Sequence, residues 1–198
     1  RFGDGQVRPL AGFRIHARVL AREDYATGRE ARFSPTDLAL GWGRMGDDAV
    51  LSRLRITQSG RWYHYRWSGD PPIPRAEIVR SSANMHMVPA DATVARALRR
   101  VREDDRLLIR GWLVRIEAPD GWRWRSSLSR EDSGNGACEL VYVCAIEVTG
   151  THYPALRWLR AGGRHACLRW RPGGGACAGR RTCPAVATSP RGPSIPAP

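Results

Sequence analysis

The sequence predicts a β-rich α+β domain, a small OB-like or similar antiparallel barrel with short helices between its strands. Three observations carry that expectation. A β-hairpin spans Asp105 to Arg130, one clear helix pattern stands between an aromatic strand and that hairpin, and Gly111 interrupts a strand where a small barrel must coil sharply. The rival layout is an α+β sandwich with the helices on one face.

The hairpin turns on Ala118-Pro119-Asp120-Gly121: Pro119 presets φ, Asp120 can bond its own backbone, and Gly121 tolerates the left-handed conformation. Past the turn, Trp122, Trp124, Ser126 and Leu128 fall on one face and Arg123, Arg125, Ser127 and Ser129 on the other, the period of a strand with one side buried. Earlier in the chain, Phe13 to Leu20 alternates in the same way, with Arg14, His16 and Arg18 outward. Ser34-Pro35-Thr36-Asp37 carries the marks of a helix start, with a capping serine, a proline suited to the first position and an acid in the first turn. Asp47 or Asp48 can cap a second short helix bearing Val50, Leu51 and Leu54.

Ile56 to Ser59 leads into an aromatic strand, Arg61 to Trp67, with Trp62, His64 and Arg66 on one side and Tyr63, Tyr65 and Trp67 on the other. Pro74 opens a short helix through Arg80, and SSANMHMVP passes from a polar link into an extended piece. Asp91 caps the clearest helix, where Val94, Ala97, Leu98 and Val101 repeat at helical spacing. After the hairpin, Ser133-Gly134-Asn135-Gly136 predicts a second turn and Cys138 to Val148 the last strand.

The 198 residues are enough for one domain with a real core, expected over residues 8–149. No run approaches the length of a membrane span. The chain starts at Arg1 rather than Met, which points to an N-terminal segment removed or not included. Residues 150–198 change character: beyond residue 150 lie eight of the 32 Arg, none of the 19 acids, seven Gly and seven Pro. Such a segment cannot bury enough apolar surface to offset ordering entropy, so it is expected to be a disordered tail or an out-of-frame reading of GC-rich DNA. The remaining 24 Arg face 19 acids, so the formal charge of +13 does not by itself argue for nucleic acid. Of the five Cys, Cys138 and Cys144 would lie about 20 Å apart on one strand, too far for a disulfide. No C-x-x-C spacing suggests zinc or redox chemistry.

The phrases FRIHARVLAREDY, SPTDLALGWG, ITQSGRWY, SSANMHMVPA, IRGWLV and GWRWRSSLSREDSGNGACELVYV resemble a group of small uncharacterised proteins of Gram-negative bacteria, over about residues 8–148. No activity comes with the resemblance. It implies an N-terminal hydrophobic anchor, absent from this chain, and hence a domain on the periplasmic side of the inner membrane. Members of that group end shortly after the last strand, so the tail departs from their pattern.

Ser81, Ser82, Asn84 and His86 supply the residue types of a nucleophile and base, but there is no G-x-S-x-G elbow, and such residues also cap helices and bond backbone. Met85 and Met87 point away from His86 in extended chain, which favours core packing over a copper site. Arg interleaved with aromatic residues is the most suggestive pattern, because rings can stack bases while guanidinium groups meet phosphate. The same pattern also describes a core face backed by solvated Arg.

The expectation is therefore a non-catalytic binding or assembly module with no cofactor and no metal, its partner an unknown protein or envelope component. The binding residues would be Arg14, Arg18, Trp62, His64, Arg66, Arg123 and Arg125. The alternatives are a hydrolase centred on His86 or His64 with Ser82 and Asn84, and a single-stranded nucleic-acid binder.

Overall fold

The computed structural model describes residues 5–130 and 138–151. The turn expected at Ser133 to Gly136 and the segment beyond residue 151 lie outside these.

Strand β1, Gln6–Asp24, contains the predicted strand and extends it at both ends. At about 3.3 Å per residue its 19 residues are too long to run straight across a small domain. It bends at irregularities between Pro9 and Ala11 and between Val19 and Ala21, and so changes partner midway. A short 3-10 turn at Glu30–Arg32 leads into β2, Thr36–Gly41.

The helix expected from Ser34-Pro35-Thr36-Asp37 does not form. Every residue of β2 is buried, paired on one side with β1 and on the other with β5, Ser82–Pro89. Two backbone ladders and full burial outweigh a local start signal whose propensity is worth tenths of a kcal/mol per residue. Ser34 Oγ donates to the Thr36 carbonyl instead of capping, and Asp37 is drawn into a buried network.

Helix α1, Asp48–Leu51, forms as expected, although the Asp47 side chain caps nothing and Asp48 reaches back to Arg18. The aromatic segment is a hairpin. Strands β3, Arg55–Ser59, and β4, Trp62–Arg66, meet at Gly60 and Arg61, whose φ values of 58° and 72° are those of the tight turn that matches strand twist. Helix α2, Arg75–Arg80, follows Pro74 as predicted. Helix α3, Ala92–Leu98, is capped by Asp91, which accepts from the Thr93 and Val94 amides at 2.7 and 2.8 Å. It ends before Val101, which is nevertheless buried.

The predicted central hairpin is β6, Asp105–Glu117, and β7, Arg123–Arg125. Gly121 has φ 86°, and Asp120 Oδ1 accepts from the Trp122 amide. Only three residues follow the ladder. The Ser126 amide still donates to Val114, but Ser127 turns to Cys138, so Leu128 is exposed rather than buried as its alternation predicted. Strand β8, Glu139–Thr151, runs to Thr151, pairing Gly150 with Arg106 and Thr151 with Asp105.

The large sheet has the order β1-β2-β5-β8-β6-β7, and β1 pairs also with β6; β5 and β8 are parallel, the rest antiparallel. Its main core joins Val19, Leu38, Leu40, Met85, Met87, Leu107, Ile109, Val141 and Val143 to Val94 and Leu98 of α3. Each such side chain removed from water contributes about 1.5–3 kcal/mol. Met85 and Met87 thus pack in the core, as read from the alternation. Gly111 sits where β6 slips against β8, and a Cβ there would lie 1.9 Å from the Tyr142 carbonyl oxygen. A second cluster, Phe33, Val88, Val114, Ile116, Leu140 and Tyr142, takes Trp112, Trp122 and Trp124 at its margin. Among the described residues no helix is long and apolar enough to cross a membrane.

Candidate functional site

Ser82, Asn84 and His86 occupy alternate positions of β5 and share the side opposite Met85 and Met87. All three are buried, at 1, 3 and 4% exposure. Asp37, directly across from His86 in the β2 register and fully buried, completes the row. The β3–β4 hairpin lies over this row and supplies the rest of the polar groups.

Arg61, at the hairpin tip, donates to Asp37 Oδ1 at 2.7 Å and to the Ser34 carbonyl at 2.9 Å, with its guanidinium 3.7 Å above the Tyr25 ring. The Asn84 amide nitrogen donates to the Arg61 carbonyl at 2.7 Å and to Asp37 Oδ2 at 3.3 Å, while Asn84 Oδ1 accepts from Gln58. His86 Nδ1 stands 2.9 Å from Asp37 Oδ2, without the alignment of a hydrogen bond, and its ring lies 4.8 Å from that of Trp124. Tyr63 and Ser82 hydroxyls are 2.7 Å apart, and Ser82 Oγ donates to the Ile78 carbonyl, so Tyr63 is left as the donor of the pair. Burial pushes the Tyr63 phenol up to about 12.

This arrangement does not assemble the nucleophile and base that the residue types suggested. Ser82 and His86 are four positions apart on one strand, about 13 Å at 3.3 Å per residue; Ser82 is engaged by Tyr63 and the Ile78 carbonyl, and His86 faces Asp37. The row is a closed polar layer between sheet and hairpin.

His64 stands on the other, outward side of the hairpin, in an open groove of about 640 Å³ lined by Thr57, Ser59, Tyr63, His64, Tyr65, Arg66, Trp67 and Arg75. His64 Nε2 is 3.5 Å from Ser59 Oγ. Trp62, 37% exposed, shares the outward side with His64 and Arg66. No acid lines the groove. Tyr65 stacks on Trp67 beneath it, and both pack with Ile73 and Ile78.

The remaining expected residues are scattered. Arg18 is only 5% exposed and is spent on Asp104, Asp48 and the Gly46 carbonyl, tying β1 to the start of α1 and to the segment before β6. A guanidinium so enclosed is not open to a ligand. Arg14 is exposed on β1 opposite Arg110, Arg125 lies opposite Arg115 on β7, and Arg123 approaches Glu117 to 3.7 Å. These three belong to the large sheet and do not line the groove. Of the proposed set, the structure therefore brings together His64, Arg66 and Trp62.

Asp37, Gln58, Tyr25 and Arg75 were not singled out from the sequence. The Ser59-Gly60 dipeptide was the available signal, since a turn there splits Ile56 to Trp67 into two strands and sets Arg61 at the tip facing Asp37. Comparison of the chain with family models, with curated proteins and with solved structures finds no match to any of them.

Proposed function

We propose that this chain is a non-catalytic binding module on a five-stranded OB-like barrel, with its ligand surface moved onto the β3–β4 hairpin. The barrel reading is supported by the pairings, which run from β1 through β2, β5, β8 and β6 back to β1. A parallel third and fifth strand with a helix between the third and fourth is the order of such barrels. Barrels of this kind take ligands on the outward side of the second and third strands. Here that side carries Asp37, Asn84 and His86, and the hairpin closes over it. The single observation that carries the binding reading is this: the hairpin covers the buried polar row, while an open groove runs along its exposed residues Thr57, Ser59, His64 and Arg66. An envelope component as partner, and tethering on the periplasmic side of the inner membrane, rest on the sequence resemblance.

A hydrolase at Ser59 and His64 is the second reading, supported by their 3.5 Å approach in an open groove. Against it, no acid lines the groove to orient the imidazole, and catalysis of this kind needs that third group as well as oxyanion donors. The test is turnover of chromogenic acetyl, phosphate and glycoside esters. No protein-dependent rate is expected. A rate abolished by Ser59→Ala and by His64→Gln would replace the binding reading with the hydrolase.

A further inference from the structure

The outward side of the hairpin presents Arg55, Thr57 and Ser59 on one strand and Trp62, His64 and Arg66 on the other. Arg55 and Arg66 are direct cross-strand partners. Like charges so placed destabilise a hairpin, and nothing negative on this side offsets them. Arg75, at the start of α2, lines the groove together with Arg66, while Arg55 stands beside Arg66 on the neighbouring strand. The ion pairs among the described residues involve none of these three. Glu77, two residues from Arg75 on α2, pairs with Arg44.

Two hydroxyls and an imidazole stand beside these cations, and an aromatic floor lies beneath them. An uncompensated guanidinium pair beside a concave, partly apolar wall focuses potential on anions. Guanidinium forks suit the oxygens of a phosphoryl group, and an exposed indole one step along the strand offers a face to a planar ring.

We propose that this groove is a phosphate-binding site, in which Arg66 and Arg75 hold a phosphoryl group with His64 and Thr57 beside it, and in which Trp62 stacks on a base when the phosphate belongs to a single-stranded nucleic acid. The inference rests on the binding reading above and names its ligand chemistry.

The test uses the full chain and two labelled probes of matched charge, a dT12 oligonucleotide and an inorganic polyphosphate, with heparin as the sulfated control. Fluorescence anisotropy is read at low and moderate salt. Because the eight Arg beyond residue 150 bind any polyanion, the comparison is among variants of the same chain. Arg66→Gln and Arg75→Gln are expected to weaken both phosphate probes about tenfold each and to flatten the dT12 salt slope by about 0.7 per Arg. Arg14→Gln, outside the groove, is expected to change affinity less than twofold. Trp62→Ala should weaken dT12 and leave polyphosphate unchanged; equal effects on both would remove the base-stacking part.

Equal losses in Arg14→Gln and Arg66→Gln would overturn the site, because binding would then be diffuse attraction to a basic chain. A heparin preference insensitive to Arg66 and Arg75 would overturn it too. Release of phosphate or nucleotide from the probes during the titration would instead sink the non-catalytic reading while leaving the groove as the site. Melting curves of each variant, expected within 2 °C of wild type for these exposed positions, exclude loss of fold as the cause.

Discussion

Replacing Asp37 by Ala should release the hairpin from the sheet. The carboxylate is fully buried and the Arg61 side chain is 19% exposed, so the substitution leaves a largely enclosed guanidinium without its anion. Breaking a buried pair from one side costs about 3–5 kcal/mol. Arg61 keeps the Ser34 carbonyl at 2.9 Å and the Tyr25 ring, and some of its surface reaches water, which places the expected cost near the lower end, about 3 kcal/mol. For a domain of this size 1 kcal/mol moves the midpoint by about 2–4 °C, giving a drop of roughly 6–12 °C in a circular-dichroism melt. Arg61→Met keeps the apolar stem at the same left-handed turn position. Added to Asp37→Ala, it should therefore cost less than the two changes summed, with a coupling of about 2 kcal/mol. An Asp37→Ala protein within about 0.5 kcal/mol of wild type, or additive double-mutant costs, would refute the claim that this pair fastens hairpin to sheet.

Tyr63 holds its proton up to about 12 in the folded chain because of burial, against an ordinary value of 10.0. The folded state thus binds the proton more tightly than the unfolded one, so this stability is complete below pH 10 and is lost as pH rises toward 12. At about 1.4 kcal/mol per pH unit the loss by pH 11.5 is about 2 kcal/mol; urea melts at pH 9 and pH 11.5 should show it in wild type and a smaller loss in Tyr63→Phe, where the Tyr25 and Tyr142 phenols, also pushed up by burial, remain. Gly111→Ala places a Cβ 1.9 Å from the Tyr142 carbonyl oxygen and against the β8 backbone, and should cost about 3 kcal/mol or more in chemical denaturation. Asp91→Ala removes two capping bonds from α3 and should cost about 1 kcal/mol by the same measurement; no change would mean that the helix is held by Val94 and Leu98 alone.

Elements whose local chemistry and tertiary setting agree were legible in the sequence. The Pro119 to Gly121 turn, the Asp91 cap, the alternation in β1 and the last strand all form where the pattern places them. Strand β2 was not legible, because Ser34 to Asp37 satisfies the rules for a helix start, whereas the deciding facts, pairing with β1 and β5, belong to residues far away. The hairpin was half legible: the face split of Trp62 to Trp67 was correct, but Ser59-Gly60 was read as a lead into one strand rather than as a turn. The buried polar row escaped for the same reason. Ser82, Asn84 and His86 could be noticed by type, yet only the register of β2 against β5 places Asp37 beside His86, and only the hairpin brings Arg61 to it. Arg18 shows the converse error, since an outward position on an alternating strand does not reveal that two acids from other segments will enclose it.

The buried row and the open groove lie on opposite sides of the same two strands, so a change in one should be felt in the other. The outer side of β1, β6 and β8 offers a competing basic surface with Arg14 and Arg110, but Glu147 shares it, and His16 is occupied by Thr149 at 2.9 Å. The hairpin side has no such acid, and its cations are spaced by the β3–β4 register that the Gly60–Arg61 turn sets. Loosening the tip by Asp37→Ala should therefore widen the distribution of Arg66 relative to Arg75, which is anchored separately on α2 above Ile78. Ordering the two again on binding would cost on the order of 1.4 kcal/mol, a tenfold loss in phosphate-probe affinity measured well below the melting midpoint. Unchanged affinity in Asp37→Ala would show that the Tyr65 and Trp67 packing against Ile73 and Ile78 holds the groove by itself. The buried row would then serve only to fasten the hairpin.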